Sequence, residues 1–476
     1  MKNNKLVWAK KPAPTHQPCF VCNNSQNNRI ILQARHWQAD KGMLELASCG
    51  ACGSAWFPGA TECNTPYPSA TETLQDPNFM LLIHHYFELV NGLDWKTALL
   101  EKLPHQSFKA VMEVGCNVGI TLDYCQTQWG LEKAIGIEPS AYGIVGRQIL
   151  DLAIHHDVLE NLPEVRNTPF DLIFATEVLE HVPAPLDFIR LLRSNLAPQG
   201  VLLLTTPRSA FLKPHAPAGE LYAALSPGSH YFLLSEQKLR ALAHEAGFSF
   251  IHIEPFGMTH VAILANTELR LMPHLDTEAA LLAYYRKKQA APPKDERLKL
   301  AYLLHYAVCL GKAGQSADIA RQTTLTKTIA ARLLADHALD MNHLDAASER
   351  IASSTSIFDL GKQIPFNLPF YLYWQTFASQ PNNQPVNPLA TTSLEFARLI
   401  CLTGLKVDFQ NLFVYHDLLN TIDTLLKNMQ QTPISLKIRQ HSEQIQDEIP
   451  ELKPAPPANL KAKIKSSLKH YRSAWW

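Results

Sequence analysis

The chain has 476 residues, more than one ordinary domain holds, so two or three domains are expected. It sets 43 basic side chains against 43 acidic ones, a balance that removes the field with which a protein gathers nucleic-acid phosphates. Hydrophobic residues make up 46%, enough for a sizeable core, and no run of about 18 apolar residues occurs, so no membrane-spanning helix is expected.

The opening stretch "MKNNKLVWAKKPAPTH" carries charge and no apolar run, so it does not read as a secretory signal. The chain is therefore expected in the cytoplasm, where a reducing environment makes close cysteine pairs a sign of metal rather than of disulfides. Five of the nine cysteines fall in the first 63 residues. "CFVC" (19–22) and "CGAC" (49–52) are two C-x-x-C knuckles. Their thiolates, Cys19, Cys22, Cys49 and Cys52, suit one tetrahedral structural zinc (Zn2+) with a closed coordination sphere. A redox pair or free thiols is the competing reading, and Cys63 lies outside the pattern. "RIILQARHWQ" and "KGMLELASC" read as two strands joined near Asp40-Lys41-Gly42. Residues 1–60 are thus expected to form a metal-stapled module, and 61–80, rich in Pro, Thr and Ser, a linker.

"FMLLIHHYFELVNGLDWKTALLEKL" reads as amphipathic helix leading into the central domain, 81–265. From 109 onward strands and helices alternate. "KAVMEV", "KAIGIE", "LAIHH", "FDLIFA" and "GVLLLTTP" are strands, followed by two further β runs, "FSFIHIE" and "THVAILA". "AYGIVGRQIL", "PLDFIRLLRSNL" and "SEQKLRALAHEAG" are helices, the last with Ser235 as cap and Gly247 as stop. This order predicts an α/β fold with a doubly wound, mostly parallel seven-stranded sheet, whose ligand lies beyond the carboxyl ends of the strands.

The turn after "VMEV" decides among ligands. A dinucleotide fingerprint would need Gly at 115, 117 and 120, where the chain has Gly115, Asn117 and Ile120. What remains is acid-x-Gly-x-x-x-Gly: Glu113, Gly115 and Gly119. Asn117 tolerates a left-handed backbone and can keep the turn tight. Glu138 closes the second strand, where a carboxylate accepts both hydroxyls of a ribose, and Asp157 follows the third, placed for an adenine amino group. Three acids at three strand ends suit a ligand with hydroxyls, amines and positive charge.

Taken together, "VMEVGCNVG", "IGIEPS", "HHDVLENLP", "FDLIFATEVLEHV", "LAPQGVLLLTTP" and "HYFLLSEQKLRALAHEAGF" resemble the class I S-adenosylmethionine-dependent methyltransferases of the small-molecule, ubiquinone-biosynthesis type, over about residues 110–255. The resemblance implies S-adenosyl-L-methionine as cofactor, held by Glu113, Gly115, Cys116, Asn117, Gly119, Glu138, Pro139, Asp157, Val158, Thr176 and Glu177. A Gly-Cys/Ser-Asn-x-Gly turn behind four cysteines is also similar to the sugar C-methyltransferases of deoxysugar pathways, although their Tyr-His-Glu-His signature is missing. The acceptor is then expected to be a small molecule or a sugar of a surface glycan. An RNA methyltransferase with a zinc-ribbon reader is the alternative, and a catalytically silent scaffold of the same fold is a third reading.

Transfer to an oxygen or carbon acceptor needs a proton acceptor, and His181 and His230 are the candidates. His181 follows "EVLE" at the end of the fourth strand, where it could instead brace the loop against Glu177. His230 ends the long segment "RSAFLKPHAPAGELYAALSPGSH", where it could instead anchor that segment to the sheet. Residues 266–450 carry helical runs without a catalytic constellation or a fixed repeat, and a homo-oligomer or protein-partner surface is expected there. In 451–476, Leu460, Ile464, Leu468, Tyr471 and Trp475 form a stripe flanked by Lys461, Lys463, Lys465, Lys469 and Arg472. Such a tail docks on protein or lies peripherally on an anionic inner membrane surface.

Overall fold

A computed structural model describes residues 5–449 except 60–69, 91, 167, 273–275, 314–315, 342, 379–387, 409–411, 413 and 429–435. The basic tail 451–476 and Cys63 lie outside the described residues. The chain divides into two compact units, one of residues 1–70 with 102–273, the other of 71–101 with 274–476.

Among its described residues the first unit has twelve strands: β1 Leu6–Thr15, β2 Asn28–Arg35, β3 Met43–Ser48, β4 Ala55–Trp56, β5 Ala110–Val114, β6 Lys133–Ile137, β7 Ile154–His155, β8 Phe170–Thr176, β9 Leu196–Pro207, β10 Phe232–Leu233, β11 Phe250–Phe256 and β12 Thr259–Ala265. Seven form one sheet in the order β11-β12-β9-β8-β5-β6-β7. The pairs from β9 through β7 are parallel, and β12 is antiparallel to β9 and β11. This is the doubly wound, Rossmann-like sheet expected from the alternating pattern. Strand order runs outward in both directions from β5, which opens a ligand crevice at the carboxyl ends of β5 and β8. β8 is apolar from Leu172 to Ala175 because both faces are covered there, and Leu172, Ile173 and Phe174 are all fully buried. Helices Ile120–Trp129, Ala141–Leu150, Pro185–Ser194 and Glu236–Glu245 follow β5, β6, β8 and β10. Pro185 opens its helix, and Ser235 caps the last by accepting the Lys238 N–H.

The other five strands form an antiparallel sheet, β1-β2-β3-β4-β10. The β2–β3 hairpin matches the turn expected at Asp40–Gly42. Two features differ from the sequence reading. β1 was legible only as a charged start, because Pro12 and Pro14 argue against a strand; they are tolerated at a sheet edge, where no partner needs their missing N–H. The 208–230 segment, read as one loop, contains helix Ala218–Leu225, whose Leu221, Ala224 and Leu225 are buried.

The second unit is helical. Pro77–Leu89 and Leu93–Leu100, expected to open the central domain, belong to this unit. Their company includes Thr277–Ala290, Glu296–Lys312, Pro388–Val407 and Val414–Asn428. Leu89, Leu303, Leu360, Leu399, Ile400 and Ile422 are among its core residues. Fully buried Glu88 pairs with Arg297 and accepts the Phe366 N–H. Burial pushes its carboxyl up to about 7, outweighing the opposing Arg297 charge. No described helix is long and apolar enough to cross a membrane.

Candidate active site

The turn between β5 and helix Ile120–Trp129 lies in the crevice. Gly115, Asn117 and Gly119 all adopt left-handed backbone, at φ 71°, 52° and 81°. Asn117 therefore takes the strained position that dinucleotide turns give to glycine, and its Oδ1 accepts the Val118 N–H at 2.7 Å. At Gly115 a Cβ would stand 2.4 Å from Val178 Cγ2, so the glycine lets the turn close against the segment after β8.

The acids divide by depth. Glu113 is fully buried within β5 rather than at its mouth. Glu138 lies just past β6, and its carboxylate accepts the Asn117 N–H at 2.8 Å and the Ser140 N–H at 2.9 Å. It ties the β5 turn to the start of the next helix while each oxygen keeps acceptor capacity. Pro139 and Cys116 flank this tie, and Cys116 is buried. Asp157 is half-buried beyond β7 and takes the Asn161 Nδ2–H and the Val158 N–H, bonds that hold its carboxyl below the usual carboxylate range. Val158 is exposed beside it.

At the end of β8 the structure gathers a second group. Thr176 is buried, and Glu177 sits at φ 56°, a rare conformation for a non-glycine residue. Its Oε1 accepts from Thr205 and Thr259, each at 2.8 Å. Glu180 is fully buried, and its Oε2 accepts from Thr206 Oγ1 at 3.0 Å. Burial, then the Glu177 charge, holds the Glu180 carboxyl well above the usual carboxylate range.

His181 and His230, 49 positions apart in the chain, meet here with ring centroids 4.6 Å apart at 84°. His181 Nδ1 lies 3.1 Å from Ser229 O, and His230 Nδ1 lies 3.0 Å from Ala224 O. Carbonyls accept only, so both Nδ1 atoms carry the proton and both Nε2 atoms keep a bare lone pair. Burial lowers both imidazoles below their ordinary range, His230 furthest, because the neighbouring His181 lowers it further. His230 Nε2 stands 3.8 Å from Glu180 Oε1. One ligand atom from each of Glu180, His181 and His230 lies within 4.8 Å of the others, a donor set with the chemistry to exchange a proton or to hold a divalent cation. Both sequence candidates for the base thus share one site. Glu180, Thr205, Thr206 and Thr259 were missed; the legible trace was "EVLEH", which sets Glu177, Glu180 and His181 on one turn.

The four N-terminal cysteines form a separate cluster, with all four Sγ atoms within 4.8 Å of one another. Cys19–Cys52 and Cys22–Cys49 are 3.8 and 3.6 Å apart, far beyond a disulfide. A tetrahedron with bonds of about 2.3 Å has edges of about 3.8 Å, so the donor set fits zinc. Ala51 N–H and Cys52 N–H point at Cys49 Sγ, both at 3.4 Å, as they do where a thiolate needs donors. The bond from Cys19 lowers the Cys52 thiol, so that sulfur is the readiest of the pair to serve as a thiolate.

With this geometry established, comparison with known proteins is direct. Residues 83–253 match the family described as "Methyltransferase domain". The tRNA U34 carboxymethyltransferase of Colwellia psychrerythraea is 28% identical over 213 residues, 41% of this chain and 62% of that protein. The protein of that name from Desulfotalea psychrophila is 31% identical over 159 residues, 31% of this chain and 48% of that protein. The chain thus spans about half the length of these curated relatives. A SAM-dependent methyltransferase structure from Archaeoglobus fulgidus aligns at a TM-score of 0.32 and 15% identity, over 40% of this chain and 99% of that one. The matched residues carry β5 to β9 and reach into β11, so the methyltransferase-domain match falls on the seven-stranded sheet.

Proposed function

We propose that the protein transfers a methyl group from S-adenosyl-L-methionine to a small molecule or a sugar of a surface glycan. The observation that carries this reading is the crevice with two poles. On one side the Gly115–Gly119 turn and Glu138 offer a ribose acceptor; on the other, Glu180, His181 and His230 converge. Methyl transfer is an in-line displacement at the sulfonium methyl, so the acceptor must approach opposite the leaving sulfur and lose its proton. Two Nε2 lone pairs on largely buried rings are suited to take it. Asp157 and Val158 extend the cofactor side toward an adenine. The four cysteines hold a structural zinc, and the helical unit serves a second copy or a protein partner.

A tRNA acceptor is the second reading, favoured by the names of the two curated relatives and opposed by the even charge balance. The deciding experiment supplies methyl-labelled S-adenosylmethionine with two acceptor pools, bulk tRNA and a small-metabolite extract with nucleotide sugars. Label in the second pool supports the proposal. Label confined to tRNA replaces its acceptor, and binding of NAD in place of S-adenosylmethionine removes it.

A further inference from the structure

We infer that the four-cysteine module is a positioning element for His230, acting through Phe20 and Tyr231. The inference deepens the reading of Glu180, His181 and His230 as the acceptor-side pole and rests on it.

The segment from Arg208 to Ser235 leaves the large sheet after β9 and returns before helix Glu236–Glu245. A segment of this length has no fixed path without anchors. Its anchors come from the module at entry, middle and exit. At entry, Ser209 Oγ donates to Gly53 O at 2.8 Å. In the middle, Tyr222 Oη donates to Arg35 O at 3.0 Å, and Trp37 N–H donates to Pro227 O at 3.0 Å. At exit, β10 pairs with β4, and Ser235 Oγ donates to Cys52 O at 2.5 Å. Gly53 and Cys52 belong to the second cysteine knuckle itself.

Tyr231, next to His230, is where these anchors meet the pole. Its N–H donates to Glu180 O at 2.8 Å, and its carbonyl accepts the Phe57 N–H at 3.2 Å. Its ring stacks on Phe20 at 5.1 Å and 14°, and Phe20 lies between Cys19 and Cys22 in the first knuckle. Cys19, Cys49 and Trp56 share one apolar cluster with Phe232 and Leu234. Both knuckles thus grip the stretch around His230, one by stacking and one through backbone carbonyls. Leu32, Leu46 and Phe57 of the module pack with Ala224, Leu225 and Leu233 of the segment, whereas the knuckles are short turns whose order depends on what joins the four sulfurs. Loosening them frees Tyr231, and with it the His230 ring that must meet His181 and Glu180.

The test uses the full chain and reads amide hydrogen exchange and kinetics together. Stripping metal with a chelator should raise exchange at 228–234 by roughly tenfold or more while β5 and β8 stay protected. Phe20→Ala is the milder probe. It should keep one equivalent of zinc and the wild-type Kd for S-adenosylmethionine, raise exchange at 228–234, and lower kcat roughly ten- to a hundredfold with little change in cofactor KM. Phe20→Tyr, which keeps the stacked ring, should restore both. Unchanged exchange at 228–234 in the stripped protein and in Phe20→Ala overturns the inference. So does faster exchange with undiminished kcat. If the wild-type protein transfers no methyl group, the proposed function fails on that result, while the exchange arms still decide whether the module holds the His230 segment.

Discussion

At the scale of single residues, the two histidines divide labour by environment. Each donates Nδ1–H to a carbonyl, and burial lowers both pKa values. Both imidazoles are therefore neutral, with Nε2 able to accept, throughout the range above about 6.5. Replacing His230 or His181 with Ala should cut turnover by roughly 10²–10⁴ while leaving cofactor affinity close to wild type. The wild-type kcat/KM should stay level as pH falls from 8 to 6.5 and drop only below that, because protonation needs more acid than a free imidazole does. Two single variants at full rate would assign the proton elsewhere. Glu138 is the matching residue on the proposed cofactor side. Glu138→Ala unties Asn117 from Ser140 and removes the charged acceptor proposed for the ribose, so calorimetry should show affinity weakened by about 1–3 kcal/mol. Unchanged affinity would take Glu138 out of the site.

At the scale of elements, the cysteine knuckles make the sharpest prediction. Metal analysis should find one zinc per chain, retained by His230→Ala and lost by Cys49→Ser. Loss should loosen β2–β4 while β5, β8 and β9 keep their protection; a metal-free chain with β2–β4 intact would refute it. These knuckles were legible because two C-x-x-C pairs constrain four side chains by spacing alone. The parallel strands were legible for another reason: the runs "LIFA" and "VLLL" inside "FDLIFA" and "GVLLLTTP" are apolar on both faces, which few other environments allow. The site was legible only in part. Asn117 and Glu138 sit where strand ends must sit, so topology located them. Glu180 was invisible because a buried acid reads as a surface charge until its cover is known. The pairing of β10 with β4 was equally hidden, since residues 55 and 233 are related by no local period. Helices Pro77–Leu89 and Leu93–Leu100 show the same limit: amphipathic spacing predicted their existence but carried no information about which core would receive them.

At the scale of the whole molecule, the helical unit holds a buried charge that ties its stability to pH. Glu88 lies in helix Pro77–Leu89, far in sequence from its partners Arg297 and Phe366, so it ties the first helices of this unit to the later ones. Its carboxyl is raised from 4.5 to about 7 by burial. The native state therefore holds a proton there between those two values that the unfolded chain has released. The stability this contributes is fully present below about 4.5 and is lost as pH rises through about 7, on the order of 2–3 kcal/mol over the window. Two histidines of the same unit slope the other way: burial lowers His84, to about 4, and His337, so their contribution is gained as pH rises toward 6.5. Comparison with Glu88→Gln separates the two effects, since Gln keeps an acceptor for the Phe366 N–H and cannot titrate. Amide exchange in helix Val414–Asn428, measured in the full chain at pH 5.5 and 8 and corrected for intrinsic rates, should show wild type losing protection relative to Glu88→Gln at the higher pH. Parallel behaviour of the two proteins would mean that Arg297 holds Glu88 ionised across the whole range, and that the buried pair is a fixed strut rather than a titrating one.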